Sequence, residues 1–579
     1  MASGLEEIVR FGTADYVVFV GLIATSLGIG VFHAFTGNRN PEDYLFGGRS
    51  MSVLPVSVSL LSSYISAIAV LGCPGETYGH GLQISMLSAG TVIGVLLATV
   101  IFLPVFYPLK MTSINEYLEL RFRSRFLRLT IFLVQLVPTF VYSGLCLYAP
   151  TLAMASVTPL SVEANIIILG VVCFVYSAMG GLRAVVWTDV VQMAVVLAGT
   201  VSVVVVACVR VGGLEEVWKI AETADRTQLF DLSLNPYKRH TMANVMTMGA
   251  VLFLNSYGVS QTNLQRICAV PTIGQARRVL LMNLVGMVAM SILQDFSGIC
   301  AFATYHGCDP LARGIITSKD QILPYFVMDQ MGFIVGMPGL FVAMLYGGSL
   351  SSLSSIINSW VAVVWTDLLE PLPWFRNVTR SGAAFINKIL SLLMGLLIIA
   401  MAFFAKNFGG LFQTTMTLAG VAAGPTLGLY LTGVLVPYCD RRGAFAGLVV
   451  SATFLAWITL GASIYGSKPE LLPFSNETCP GFYRDHGTNE SLFKPAFPAE
   501  APKMEAGFMD HAREVQAPDS ATTANASLSE NDNWGLMYLY GLSYTLFMTL
   551  GMVVFVAVAS LVTLITGETP IQWENHGNP

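Results

Sequence analysis

Ser57-Val-Ser59-Leu-Leu-Ser62-Ser63-Tyr64-Ile65-Ser66-Ala67-Ile-Ala69-Val-Leu-Gly72-Cys73-Pro74-Gly75 lies inside an apolar stretch, 53–77, long enough to cross a bilayer. A spanning helix needs roughly 20 mainly apolar residues. Five serines followed by Gly, Pro and Gly make a poor lipid-facing helix. One reading is helix packing through small residues. The other is an interrupted helix whose free carbonyls and hydroxyls hold an ion, as discontinuous helices do in secondary transporters. A second polar cluster, Tyr346-Gly-Gly348-Ser349-Leu-Ser351-Ser352-Leu-Ser354-Ser355, sits in the apolar stretch 335–365. Its neutral hydroxyls suit a monovalent cation, because they supply oxygen without burying an uncompensated anion. A divalent metal would call for carboxylates or imidazoles, and this stretch has neither.

Outward from these two stretches the chain reads as membrane protein throughout. Of 579 residues, 54% are hydrophobic and 11% charged, against about 25% charged in soluble domains. An extracellular enzyme, a nucleic-acid binder and a disordered scaffold fit poorly. A net charge of −5 gives no footprint for DNA or RNA. Thirteen candidate spans fall near 13–36, 53–77, 81–108, 127–152, 161–179, 186–211, 242–263, 275–303, 335–365, 383–405, 409–437, 443–462 and 538–566. Lys110, Arg121, Arg123, Arg125, Arg128, Arg183, Arg266, Arg277, Arg278, Arg441 and Arg442 follow odd-numbered spans. By the positive-inside rule this side is cytoplasmic, so the N-terminus is predicted outside and the C-terminus inside. The sequons at Asn476, Asn489 and Asn525 agree, since all fall in a segment, 464–534, predicted to be exterior and loosely ordered. Cys308 and Cys479 each lie in a long polar loop, and a disulfide between them is open if both loops are extracellular.

Further polar groups stand at membrane depth. Asp189 follows Gly181-Leu-Arg183-Ala-Val-Val-Trp187-Thr188 and reads either as an interfacial cap or as an ion-site or gate carboxylate. Asn255-Ser-Tyr257-Gly258-Val-Ser260-Gln261-Thr262 is a second candidate break. Asp295 and Glu76 read as buried structural pairs, and Gly90-x-x-x-Gly94 as a packing signal of low specificity. A membrane enzyme fits least, since no nucleophile and base share one depth. A channel would need a continuous polar lining.

The ordered motifs Asp15-Tyr-Val-Val-Phe19, Gly47-Gly-Arg49, Phe102-Leu-Pro-Val-Phe106, Thr112-Ser113-x-x-Glu116, Gly180-Gly-Leu-Arg-Ala-Val-Val-Trp-Thr-Asp189, Tyr257-Gly-Val-x-Gln261, Gln265-Arg266, Cys308-Asp-Pro310 and Pro338-Gly-Leu-Phe-Val342 resemble the sodium:solute symporter family. The likeness runs from residue 13 to about 465 and is nearest the branch of sodium-coupled monocarboxylate, iodide and multivitamin transporters. It implies an all-α polytopic fold of about thirteen transmembrane helices with a five-plus-five inverted-repeat (LeuT-like) core. Residues 53–437 would be that core, with repeats at 53–211 and 242–437; 1–52 would precede it, and 438–579 would add peripheral helices and a short cytoplasmic tail.

The resemblance also places residues. Sodium would be held by carbonyls of Ser62, Ile65 and Gly348 and hydroxyls of Ser351 and Ser352. A second sodium position would draw on Ser66, Tyr142 and Asp189. The solute cavity would be lined by Tyr64, Ala69, Leu87, Ser88, Thr91, Phe253, Phe412 and Met416. The monocarboxylate members tend to have Thr where this chain has Ala69, and Trp where it has Phe253; the vitamin member shares the Ala. The implied activity is sodium-coupled import of a small organic anion, a monocarboxylate first, across the plasma membrane. A vitamin, iodide, or a solute sensor without transport are the alternatives. Sodium and the lipid bilayer are the other implied partners, no organic cofactor or nucleic acid is implied, and a homo-oligomer is left open.

Overall fold

The computed structural model describes residues 11–36, 41–158, 160–375, 377–405, 411–465, 471–476, 479 and 538–566, and among them there is no strand. The long helices are α1 (Thr13–Thr36), α2 (Val53–Tyr64), α3 (Ala67–His80), α4 (Leu87–Ile101), α5 (Arg125–Val157), α6 (Val162–Val211), α7 (Met242–Gly258), α8 (Gln261–Ile267), α9 (Ile273–Thr304), α10 (Met337–Val363), α11 (Arg380–Ala405), α12 (Leu411–Leu435), α13 (Arg441–Tyr465) and α14 (Phe547–Thr566). Among the described residues ten helices are long and apolar enough to cross a membrane, and up to twelve spans result when two bent pairs each count as one. Candidate span 161–179 falls on the shorter apolar helix Val162–Val175. This is the first limb of α6, which turns at Gly181 (φ 58°, ψ −164°) and runs on. Only glycine takes that conformation without strain. The protein is a multi-pass membrane protein.

Both expected breaks are present. α2 and α3 are bent by 59°, and α7 and α8 by 56°. At the first break Ile65 (φ −94°, ψ 84°) and Ser66 (φ −86°, ψ 169°) leave the helical region. At the second, Val259 (φ −127°, ψ 15°) and Ser260 (φ −87°, ψ 134°) do so. Each second limb thus starts after an extended serine, a residue that readily trades helical bonds for local ones. The breaks fall in the two stretches where they were expected, 53–77 and 242–263.

α10 is buried on nearly every side, whereas α1, α11 and α14 show apolar faces outward. A helix hydrophobic all round and buried belongs at the centre. α4 meets α7 through glycines, as the Gly90-x-x-x-Gly94 signal suggested. A Cβ at Gly94 would fall 2.5 Å from the Ala250 carbonyl oxygen, and one at Gly249 2.5 Å from that of Leu87.

Three arginines counted above as loop charges are structural. Arg266 is fully buried, Arg121 donates to the carbonyls of Gly433, Val436 and Pro437 at the end of α12, and Arg128 pairs with Asp367 at 2.5 Å. A carbonyl-lined helix end and a buried carboxylate each attract a cation inward. Arg183 likewise donates to the Gly47 carbonyl at 2.9 Å. Lys110, Arg123, Arg125, Arg277, Arg278, Arg441 and Arg442 remain exposed.

The segment 464–534 was expected to be loose, but its stretch 471–476 is packed. Leu472 donates to the Gly79 carbonyl, Arg226 donates to that of Pro473, and Phe474 stacks on Tyr78. The Cys308–Cys479 disulfide is formed, with a Cα–Cα distance of 4.8 Å. Together these contacts tie the segment to α3 and to the end of α9. Asn476 is exposed; Asn489 and Asn525 lie outside the described residues.

Gly94→Ala should destabilise the protein by about 1–3 kcal/mol through overpacking, lowering the melting temperature of detergent-purified protein. Gly21→Ala, where nothing lies within 4 Å of the added methyl, should leave it unchanged.

Candidate functional site

The break in the first half faces the serine-rich side of α10. Ser351 Oγ donates to the Ser62 carbonyl at 2.8 Å and to that of Gly348 at 3.0 Å, and Ser352 Oγ donates to the Ser63 carbonyl at 3.0 Å. A Cβ on Gly348 would lie 3.1 Å from the Ile65 carbonyl oxygen, so the missing side chain lets the two backbones approach. Ser62, Ile65, Gly348, Ser351 and Ser352 are thus brought to one place, all buried. The Ser62 hydroxyl is buried there without a hydrogen-bond partner. Such a set offers neutral oxygen only, which fits a monovalent cation and gives a divalent one no countercharge.

The second expected set is brought together in part. Ser66 and Tyr142 share a side-chain contact, and Cys146 joins them. Asp189 pairs instead with Arg266 (3.1 Å) and accepts from Ser59 Oγ at 2.5 Å. Both members of the ion pair are 0% exposed. Arg266 also donates to Ser63 Oγ and Ser355 Oγ, each at 2.6 Å. A single guanidinium therefore ties α6, α2 and α10 to α8, one turn below the oxygen cluster. Sequence reasoning placed Arg266 in a loop and missed this role. Its signal was an arginine one turn after a polar break, with an intramembrane aspartate elsewhere in the chain.

The solute-cavity residues come from both halves. Tyr64 donates to the Ser256 carbonyl at 2.6 Å and packs on Tyr257 with ring centroids 4.9 Å apart; Phe253 lies beside Tyr257. Thr91 Oγ1 is spent on its own helix, at the Leu87 carbonyl (2.9 Å). Phe412, Leu87, Met416 and Cys73 share one apolar cluster, and Phe412 covers Gly72. Ala69 is half-buried on the same helix. Ser88 Oγ, Asn255 Oδ1 and Thr415 Oγ1 are buried without partners. A polar group left unpaired in an apolar setting is costly, so these three groups call for a ligand or water; Thr415 was not foreseen.

Further along α3 Glu76, fully buried, holds Arg239 and Lys319, each at 2.7 Å, and His80 at 2.8 Å. Burial holds the Lys319 ammonium below its usual range, with the Glu76 charge pulling the other way. Arg239 also donates to Gln413, beside Phe412, at 3.1 Å. Glu76 is thus the buried pair expected, with two basic partners rather than one.

A span broken at membrane depth, with an oxygen cluster at the break facing a buried serine-rich helix, has the build of a secondary transporter of the broken-helix type. The model of the sodium:solute symporter family matches residues 44–451. The chain is 35% identical over 565 residues to the sodium-coupled monocarboxylate transporter 2 of Danio rerio, covering 97% of this chain and 86% of that protein. It is 36% identical over 567 residues to the human sodium/iodide cotransporter, covering 96% and 84%. The solved structure of a Na+-coupled sialic acid symporter shares the fold, with a TM-score of 0.73 and 20% identity over 96% of this chain and 98% of that one. This chain therefore belongs to the sodium:solute symporter family.

Arg266→Ala would leave Asp189 buried without a countercharge, a loss of about 3–5 kcal/mol. Thermal unfolding should show that loss, and Arg266→Ala with Asp189→Ala should recover part of it. Single and double changes of equal cost would contradict the coupling.

Proposed function

We propose that this protein is a sodium-coupled symporter that imports a small organic anion by alternating access at the plasma membrane. It would have thirteen spans, the N-terminus outside and residues 53–437 as the transport core. The observation that carries this reading is the contact of Ser351 and Ser352 with the unwound turn of the second span. Sodium entering from outside takes the oxygens of Ser62, Ile65, Gly348, Ser351 and Ser352. The serine hydroxyls then turn their lone pairs to the ion and release the carbonyls they now hold. This pins α2 and α3 against α10 and completes the cavity beside Tyr64 and Phe253. Coupling follows if sodium binds the solute-competent state better than the other. Each positive charge carried inward gains about 2.3 kcal/mol per 100 mV of membrane potential.

Among solutes, a monocarboxylate comes first, because relatives carrying that name match nearly the whole chain. Ala69 and Phe253 leave fewer hydrogen bonds for the anion and a more apolar wall than Thr and Trp would. A second sodium at Ser66 and Tyr142 would share the cavity wall. Asp189, already neutralised by Arg266, would have to exchange that partner before contributing.

In proteoliposomes, uptake from a panel of lactate, pyruvate, nicotinate, iodide and biotin should require sodium and cease in choline. Ser351→Ala with Ser352→Ala should raise the sodium concentration for half-maximal uptake about tenfold or more, equivalent to about 1.4 kcal/mol, with surface expression retained. Unchanged sodium dependence in that variant would remove the site. Ala69→Thr and Phe253→Trp should reorder the panel and leave sodium dependence alone; an unaltered ranking would show that these positions do not select.

A further inference from the structure

Glu76, Asp189 and Asp367 are buried carboxylates within spans, and each has an arginine or lysine within ion-pair distance. Asp15 and Asp440 are also buried, and each accepts from main-chain N–H groups at a helix end. Asp295 has neither. It lies in the body of α9, 7% exposed, and among the described residues no lysine, arginine or histidine nitrogen comes within ion-pair distance.

Its surroundings are weakly polar and confine it. Ser85, from the turn Leu82–Met86 that leads into α4, stands beside the carboxyl. Cys73 of α3 interacts electrostatically with both Asp295 and Glu76. The Glu76 charge is already matched by Arg239 and Lys319. Thr77 Oγ1 donates to the Asp295 main-chain carbonyl at 2.9 Å, and Gly298 sits against Pro74, so α9 is held to α3 at this level. The turn and α4 contain no titratable side chain. α6 presents Cys208 to Cys300, the helix Ile322–Met331 presents Tyr325 to Tyr305, and α2 meets α9 through Ser57. The surface helix Leu214–Thr223 brings Glu215, Lys219 and Glu222 around Phe296.

An ionised carboxylate in this setting carries a desolvation cost that no countercharge offsets. The protonated acid carries only that of a neutral polar group, and the Ser85 hydroxyl is at hand to share its hydrogen. A sodium ion is the poorer occupant, since the carboxyl and the Ser85 hydroxyl supply fewer oxygens than the five that the α2–α10 cluster gathers. Location gives the proton a use. Ser85 lies one turn before Ser88, and Cys73 one turn after Ala69, and all four are partly exposed. We propose that Asp295 is a proton-binding site at the edge of the solute cavity, neutral when an anion occupies that cavity and exchanging its proton with cavity water. The role toward the anion rests on the transport reading above; the bound proton itself does not. Under that reading a charge on Asp295 repels the solute, so anion uptake falls as pH rises through its ionisation.

The proton can be read without transport. Full-length protein in lipid nanodiscs, with sodium present, is followed by infrared difference spectroscopy across a pH titration from mildly acidic to mildly alkaline. The wild type should show a carboxylic-acid C=O band at neutral pH that fades on the alkaline side, and Asp295→Asn should lack it. Where Asp295→Asn fails to fold, Asp295→Glu should keep a band with a shifted midpoint. Wild-type and variant spectra that superimpose at every pH would overturn the proposal. A band that behaves as expected in a protein showing no sodium-dependent uptake would keep the proton site and remove the transport reading.

Discussion

The structure depends on one open turn of backbone. Residues 65 and 66 leave the helix in the middle of a span, where lipid offers carbonyls no hydrogen bond and each unsatisfied group costs several kcal/mol. The serines of α10 reach across to the carbonyls of Ser62 and Ser63, and Gly348 lets them come close enough. The break and its cover are therefore a single unit. A continuous helix would not need the serines, and a bulkier residue at 348 would push them away. A cation that takes the same oxygens competes directly with these hydrogen bonds.

The remaining polar groups at membrane depth support that unit. Arg266 comes from the limb that follows the second break, and it binds Asp189, Ser63 and Ser355 together. The two broken spans are thus joined electrostatically as well as by packing. A change at one oxygen cluster reaches α8 through one guanidinium. Glu76 gathers two cations and a histidine, a second buried charge centre in the fold. Buried pairs of this kind are costly to break.

Much of this was legible in the sequence because membrane burial is strict about composition. Span positions followed from hydropathy, and both breaks followed from runs of Ser, Gly and Asn where lipid-facing residues were due. The glycine contact of α4 with α7 was visible as Gly90 and Gly94. What escaped were facts about partners. Arg266, Arg121 and Arg128 look like loop charges until the elements that bury them are in place, since a one-dimensional reading cannot supply Asp189 or the end of α12. Asp295 looked like half of a pair, and no letter in the chain shows that its partner is missing. The packed stretch 471–476, Leu-Leu-Pro-Phe-Ser-Asn, was hidden by the polar composition of the longer segment around it; its contacts with Gly79, Arg226 and Tyr78 became visible only in the fold.

The central claim is that the oxygens at the broken second span hold a sodium ion. Density maps of the purified protein in sodium and in choline, at a resolution that shows single ions, would test it most directly. The account predicts a spherical feature among Ser62, Ile65, Gly348, Ser351 and Ser352 in sodium alone, with both serine hydroxyls turned toward it. Identical maps in the two salts, with those hydroxyls still bonded to the carbonyls of Ser62 and Ser63, would contradict it.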